Sequence, residues 1–239
     1  MLRAWLSAYE NFKEARQMGI VEEAWKRGQR ALSEYQSKKL IASYGIPVTR
    51  EKLVNSEEEA LLAAREIGFP VVLKGCSSEA THKTELRLIE LNLPDEAAVI
   101  EAYRRIRNNA GFPLDGVLVQ EMIKGERELV VGMTRDAQFG PCVMFGLGGI
   151  FTEILKDVSF RVAPLEKRDA LEMMGEIKGY RILEAIRGLE AADKETLCEV
   201  LIKVGQIGLD FERIKEIDVN PVIIAGSRPV AVDAMIVLG

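Results

Sequence analysis

The chain has 239 residues, 48% of them hydrophobic, enough to bury a core in one large domain or two small lobes. A net charge of −5, with lysines and arginines scattered rather than grouped, argues against an extended nucleic-acid face. Cys76, Cys142 and Cys198 are widely spaced with no CxxC, and no apolar run reaches the ~18–20 residues of a membrane span, so neither a disulfide framework, a zinc site nor a membrane is indicated and a reducing cytoplasm is the expected setting.

Residues 1–30 read as a polar helical extension with Trp5, Tyr9, Phe12 and Trp25 as its large apolar groups. Ser33 and Gln36 have capping-box spacing, and the helix they open should end at Gly45, before Ile46-Pro47. Ser56 with Glu59 repeats the signature, with a stop at Gly68. Pro70-Val-Val-Leu-Lys74 is a short apolar run that reads as a strand, and Leu88–Leu93 alternates as a half-buried strand does. Asp95 caps a helix to about Asn108. Val117–Gln120 and Glu128–Met133 are strands around a Lys124-Gly125 turn, and Cys142–Phe145 leads into Gly146-Leu-Gly-Gly149. A helix is expected near 166–177, and a longer one from Asp193 to about Leu209 buries Leu197, Val200, Leu201 and Val204 on one face. The end is strand-rich: Ile214–Val219, Val222–Ala225 and Val230–Val237. With antiparallel hairpins expected at 117–133 and 214–237, the fold class is α+β rather than a doubly wound parallel sheet.

Two common phosphate-binding patterns, GxxxxGK[ST] and GxGxxG after a strand, are absent. A strand-end lysine such as Lys74 is ordinarily a surface charge, and a glycine cluster ordinarily a tight turn. Glu128, Asp218 and Asp233 read singly as strand charges. Their joint order says more: Lys74 ending a strand; Val117-Leu-Val-Gln-Glu-Met122 and then Gly125-Glu-Arg-Glu128; Phe139-Gly-Pro-Cys-Val-Met-Phe-Gly-Leu-Gly-Gly-Ile-Phe-Thr-Glu153; Glu216-Ile-Asp-Val-Asn-Pro221; and Val230-Ala-Val-Asp-Ala234.

This succession, over roughly residues 30–238, resembles the ATP-grasp fold, and within it the β subunit of the ADP-forming acyl-CoA synthetases. The resemblance implies two α+β lobes clamping a nucleotide: residues 1–30 as an N-terminal extension, 31–120 as the first lobe, and 121–239 as the second with the metal site. It implies that Lys74 meets phosphate oxygens as a point charge. Gln120, Glu121 and Met122 would form the hinge that binds adenine through backbone groups, and Glu128 would accept from ribose hydroxyls. Gly148, Gly149 and Glu153 would shape the site from the second lobe. Asp218, Asn220 and Asp233 would hold Mg²⁺ beside ATP or ADP, because magnesium takes a few protein oxygens and completes its shell with phosphate and water.

His82, the chain's one histidine, is by itself a residue more often structural than catalytic. The family carries a His-Lys-Ser/Thr-Asp/Glu segment eight residues after the lysine, with a transiently phosphorylated histidine, and His82-Lys83-Thr84-Glu85 stands at that spacing. The resemblance thus makes His82 the nucleophile, with Glu85 orienting its imidazole. Where the family continues Val-Gly-Gly-Val, this chain has Leu86-Arg87-Leu88-Ile89. The implied partner is an α subunit with the CoA-binding and first phosphohistidine domains. Two alternatives stay open: a relay-deficient nucleotide-binding regulatory subunit, and another ATP-grasp ligase that forms an acyl phosphate directly. Arg161 matches the family without an assigned role and reads as a structural ion pair.

Overall fold

Local chemistry fixes most helix starts. The computed structural model describes residues 19–78, 88–149 and 157–239. Ser33 and Gln36 form the full capping box that opens α1 (Glu34–Ser43). Ser56 accepts from the Glu59 amide to start α2 (Glu57–Ile67), which Gly68 ends at φ 94°, a conformation that costs glycine little. Asp95 caps α3 (Glu96–Asn109). Helix α4 spans Lys167–Glu176, and Asp193 caps α5 (Lys194–Asp210).

The strands form two antiparallel sheets. The smaller has the order β2 (Glu51–Val54), β5 (Gly116–Glu121), β3 (Val71–Cys76), β4 (Ile89–Leu93). Val71 and Leu73 of β3 and Val117 and Val119 of β5 pack with α2 and α3 in one apolar cluster. Alternation along β3 then sends Val72 and Lys74 to the opposite face, which is also buried.

The larger sheet has the order β1 (Ala31–Leu32), β11 (Met235–Leu238), β9 (Ile214–Ala225), β6 (Glu128–Asp136), β7 (Gly140–Leu147), β8 (Val158–Val162), with β10 (Arg228–Ala231) also paired to β9. Its core face carries Val131, Val143, Phe145, Ile217 and Val219, covered by α4 and α5. The other face of β9 and its neighbours looks toward the smaller sheet.

Three readings of the sequence are corrected. β5 and β6 do not form the hairpin expected over 117–133: they belong to different sheets, and the intervening residues cross between them. Residues 31–48, grouped on sequence with the first lobe, pack with the larger sheet instead, since Leu32, Leu40, Ile41 and Ile46 sit in its apolar cluster and β1 pairs with β11. Val21 and Ala24 of the N-terminal extension join the same cluster, while residues 1–18 lie outside the described residues. Finally, the two short strands expected at 214–219 and 222–225 are one strand with a bulge. Leu129 pairs with Val222 and Val131 with Val219, so Asn220 and Pro221 together oppose Val130.

Phe145 is fully buried at the centre of the larger cluster. Phe145→Ala should cost about 3–5 kcal/mol and lower Tm by roughly 10 °C, whereas Phe139→Ala, at a side chain 60% exposed, should leave Tm within about 2 °C. Thermal melts of the two variants check this.

Candidate nucleotide site

Between the two sheets lies a cavity of about 550 Å³. Lys74, Gln120, Met122, Glu128, Asn220 and Asp233 line it, drawn from β3, the end of β5 and the crossing segment, β6, β9 and the connection before β11. Val72, Ile89, Leu91, Ile123 and Ile223 give it apolar walls. A flat aromatic group fits between such walls, and the polar groups are left to fix its orientation.

The bulge in β9 builds one side of this cavity. On either side of it Ile217, Val219, Val222 and Ile224 all point into the core. The step from 219 to 222 leaves Asn220 and Pro221 both facing the cavity, and the proline has no amide to leave unpaired in the ladder.

Glu128 is held by close backbone packing. The Gly148 amide donates to the Glu128 carbonyl at 2.7 Å. A Cβ on Gly148 would meet Leu129 backbone atoms at 2.8 Å, and one on Gly149, at φ 62°, would meet Glu128 Oε2 at 2.5 Å. Both positions therefore exclude a side chain. The two glycines support Glu128 from behind and do not themselves line the cavity.

The far wall is a buried ion cluster that joins the two sheets. Lys74 Nζ donates to Glu34 Oε1 at 2.7 Å and to the Val232 carbonyl at 3.3 Å, and it lies 3.7 Å from Asp233 Oδ2. Lys38, one turn after Glu34 on α1, is 1% exposed. Its ammonium reaches Gln120 Oε1 at 3.0 Å, Val232 O at 3.1 Å and Glu34 Oε1 at 3.5 Å, and pairs with Glu51 at close range. Burial pulls Lys74 toward the neutral amine, but Glu34, Asp233 and Glu51 outweigh it and hold its pKa above the ordinary lysine value. Burial pushes the Glu51 carboxyl up, against the pull of Lys38.

Asp218 sits one alternate position along β9 from Asn220, outside the cavity lining. Burial, then the charges of Asp233 and Glu216, push its carboxyl up to about 6. Carboxylate oxygens of Asp218 and Asp233 and the amide oxygen of Asn220 are hard ligands of the kind that suit a magnesium ion. Among the described residues no group of three or more His, Cys, Asp or Glu stands close enough to hold a metal ion by itself.

Other expected residues stand elsewhere. The Glu121 carboxylate accepts from the backbone amide and Nε of Arg50, both at 2.8 Å, and is turned away from the cavity, so only its backbone can serve there. Arg161 makes a two-pronged pair with Glu176, the structural bridge expected of it. His82, Glu85, Arg87 and Glu153 lie outside the described residues. The sequence reading missed Glu34, Lys38 and Glu51. Glu34 and Lys38 stand one helical turn apart at the start of a capped helix, a spacing that marks an i,i+4 ion pair but says nothing of its place beside the cavity.

Residues 23–238 match the ATP-grasp domain. The chain belongs to the ATP-grasp family. Within it, the β subunit of acetate–CoA ligase [ADP-forming] I from Pyrococcus furiosus is 46% identical over 224 residues, 92% of this chain and 96% of that one. This similarity places the chain in the family of ADP-forming acyl-CoA ligase β subunits. Acetate–CoA ligase [ADP-forming] I from Archaeoglobus fulgidus is 39% identical over 92% of this chain but only 33% of its own length. A dinucleotide forming acetyl-coenzyme A synthetase 1 from Ca. Korarchaeum cryptofilum, in complex with coenzyme A and Ca-AMPCP, superposes with TM-score 0.89 at 46% identity, over 92% of this chain and 98% of that chain. Another structure of that protein, with TM-score 0.84 and 45% identity over 93% of this chain and 100% of that one, holds coenzyme A and Mg-AMPPCP with its phosphohistidine segment pointing towards the nucleotide binding site. No helix among the described residues of this ATP-grasp chain is long and apolar enough to cross a membrane.

The raised carboxyl of Asp218 has a measurable sign. Its folded pKa lies above the unfolded value of about 3.9, so the ionised form is the one that burial disfavours. Stability is therefore lost as pH rises from ~4 through about 6 and stays reduced above. Asp218→Asn should raise the stability of nucleotide-free, metal-free protein by about 2–3 kcal/mol at pH ~7.5, with the gain vanishing near pH ~4. Denaturation at the two pH values decides it; an equal gain at both would place the stabilisation elsewhere.

Proposed function

We propose that this chain is the nucleotide-binding β subunit of an ADP-forming acyl-CoA ligase, passing a phosphoryl group between an acyl phosphate and ADP through His82. The observation that carries the reading is the convergence of Lys74, Gln120, Met122, Glu128, Asn220 and Asp233 on one cavity between two sheets. The smaller sheet with α2 and α3 acts as one lobe, and the larger sheet with its helices as the other.

In this reading the apolar walls receive the base, and the Gln120–Met122 backbone reads its edge. Glu128, braced by Gly148 and Gly149, accepts from ribose hydroxyls. Lys74 offers its ammonium to phosphate oxygens as a compact charge. Asn220 and Asp233, with Asp218 beside them, would hold Mg²⁺, which when bound neutralises phosphate charge. The neutral imidazole of His82 would attack the phosphorus carried by the first phosphohistidine, on the α subunit; an N–P bond forms to His82 as the N–P bond to the first histidine breaks. A terminal oxygen of ADP then attacks the same phosphorus, and the N–P bond breaks to give ATP and free imidazole. Glu85 would orient the imidazole by accepting from its other ring nitrogen.

The proposed partner is an α subunit with the CoA-binding and first phosphohistidine domains. Two findings support it: the Pyrococcus relative is named a β subunit, and the Archaeoglobus relative extends well beyond the third of its length matched here. Cys76, Cys142 and Cys198 form no disulfide with one another, which fits a reducing cytoplasm.

One observation favours a second reading, a nucleotide-binding subunit without the relay. Leu88, where the family carries a glycine, is fully buried, and its carbonyl accepts from the Gly75 amide at 2.8 Å. The chain is thus anchored just after the segment that holds His82.

Phosphate transfer from γ-labelled ATP with Mg²⁺, on the wild type and on His82→Ala with the co-purified partner, separates the two. Acid-labile label on this chain, absent from His82→Ala, is the expected result. Bound nucleotide without label on either protein would leave the relay reading without support.

A further inference from the structure

Lys38 stands behind the cavity wall and contacts four groups, all of which belong to or adjoin the candidate site. Glu34 Oε1 is shared: it accepts from Lys74 at 2.7 Å and from Lys38 at 3.5 Å. The Val232 carbonyl is shared in the same way, at 3.3 Å and 3.1 Å. Glu51 pairs with Lys38, and its charge is also felt by Lys74. Gln120 reaches Lys38 through Oε1 from the end of β5. Two ammonium groups therefore share two buried carboxylates, Glu34 and Glu51, and only one of the ammonium groups faces the cavity.

We infer that Lys38 is a positioning residue for phosphate recognition: it acts as the counter-charge that keeps Glu34 and Glu51 from neutralising Lys74. The inference rests on the nucleotide reading above and deepens it. A phosphate oxygen and a buried carboxylate compete for the same ammonium, and Lys74 serves a nucleotide only as far as its own carboxylate neighbours are balanced from behind. Lys38 supplies that balance without touching the ligand. The charged groups around Glu51 are Lys38, Glu34 and Lys74, with the Thr49 hydroxyl donating to it at 3.2 Å.

The geometry sets opposite signs for two single variants. Lys38→Met leaves Glu34 and Glu51, in addition to Asp233, acting on Lys74 alone and should weaken MgADP binding on the order of tenfold. Glu51→Gln keeps an oxygen for Lys38 but removes one negative charge, and should tighten MgADP binding roughly fivefold. Lys38→Met with Glu51→Gln should return affinity to within about twofold of wild type. A residue with only a packing role would shift melting temperature in all three variants and would not produce opposite signs in affinity.

Titration calorimetry of MgADP into each folded protein, at about pH 7.5, is the test. Wild type that binds no MgADP would remove the nucleotide reading itself. Wild type that binds, with Glu51→Gln unchanged or weaker, overturns the role of Lys38 alone. If Lys38→Met fails to fold, tighter binding by Glu51→Gln and its cancellation in the double variant still decide the matter.

Discussion

Glu34, Lys38, Glu51 and Lys74 form a buried ion cluster, and the relation between the two sheets depends on it. The apolar clusters of the sheets are separate, so hydrophobic burial stabilises each side by itself but does little to fix their approach. The cluster does that work with directional contacts. Glu34 and Lys38 come from α1 on the larger-sheet side, and Glu51, Lys74 and Gln120 come from the smaller sheet. Taking ions out of water is costly, and an apolar replacement would often be at least as stable. What the ions supply is geometry: an ammonium at a set place on a cavity wall.

The same economy of position runs through the rest of the cavity. Alternation in β3 gives Val71 and Leu73 to the core and Val72 and Lys74 to the cavity. In β5 it gives Val117 and Val119 to the core and Gln120 to the ion cluster. Glu128 is held where glycine at 148 and 149 permits the backbones to meet. Recognition groups thus stand on regular strands, with the core behind them restricting their movement.

The parts legible in the sequence were those set by neighbours along the chain. Ser33, Ser56, Asp95 and Asp193 announce their helices because a cap is a contact across three residues. The apolar spacing of Ile217, Val219, Val222 and Ile224 announced the interruption at 220–221, although it read as a gap between two strands. Of the site residues named by motif, Lys74, Gln120, Met122, Glu128, Asn220 and Asp233 meet at one cavity. The hairpin expected at 117–133 failed because a turn followed by a strand says nothing of which sheet that strand joins. Lys38 was missed because its partners Gln120 and Val232 lie 82 and 194 residues away, a relation no local pattern encodes. Glu121 was placed by motif, but its side chain is taken by Arg50, whose reach only the folded backbone defines.

The extra residue in β9 bears on how this strand can change over evolutionary time. A bulge separates two stretches whose facing is set independently, so substitutions on one side of Asn220–Pro221 need no compensation on the other. Loss of a single residue there is another matter. It would restore strict alternation with Ile217, Val219, Val222 and Ile224 all still facing the core, and would remove one of the two successive side chains that now face the cavity. Chain length at this point therefore bears on the cavity rather than on the core: a one-residue deletion would be felt where Asn220 and Pro221 stand and not by the apolar cluster behind them.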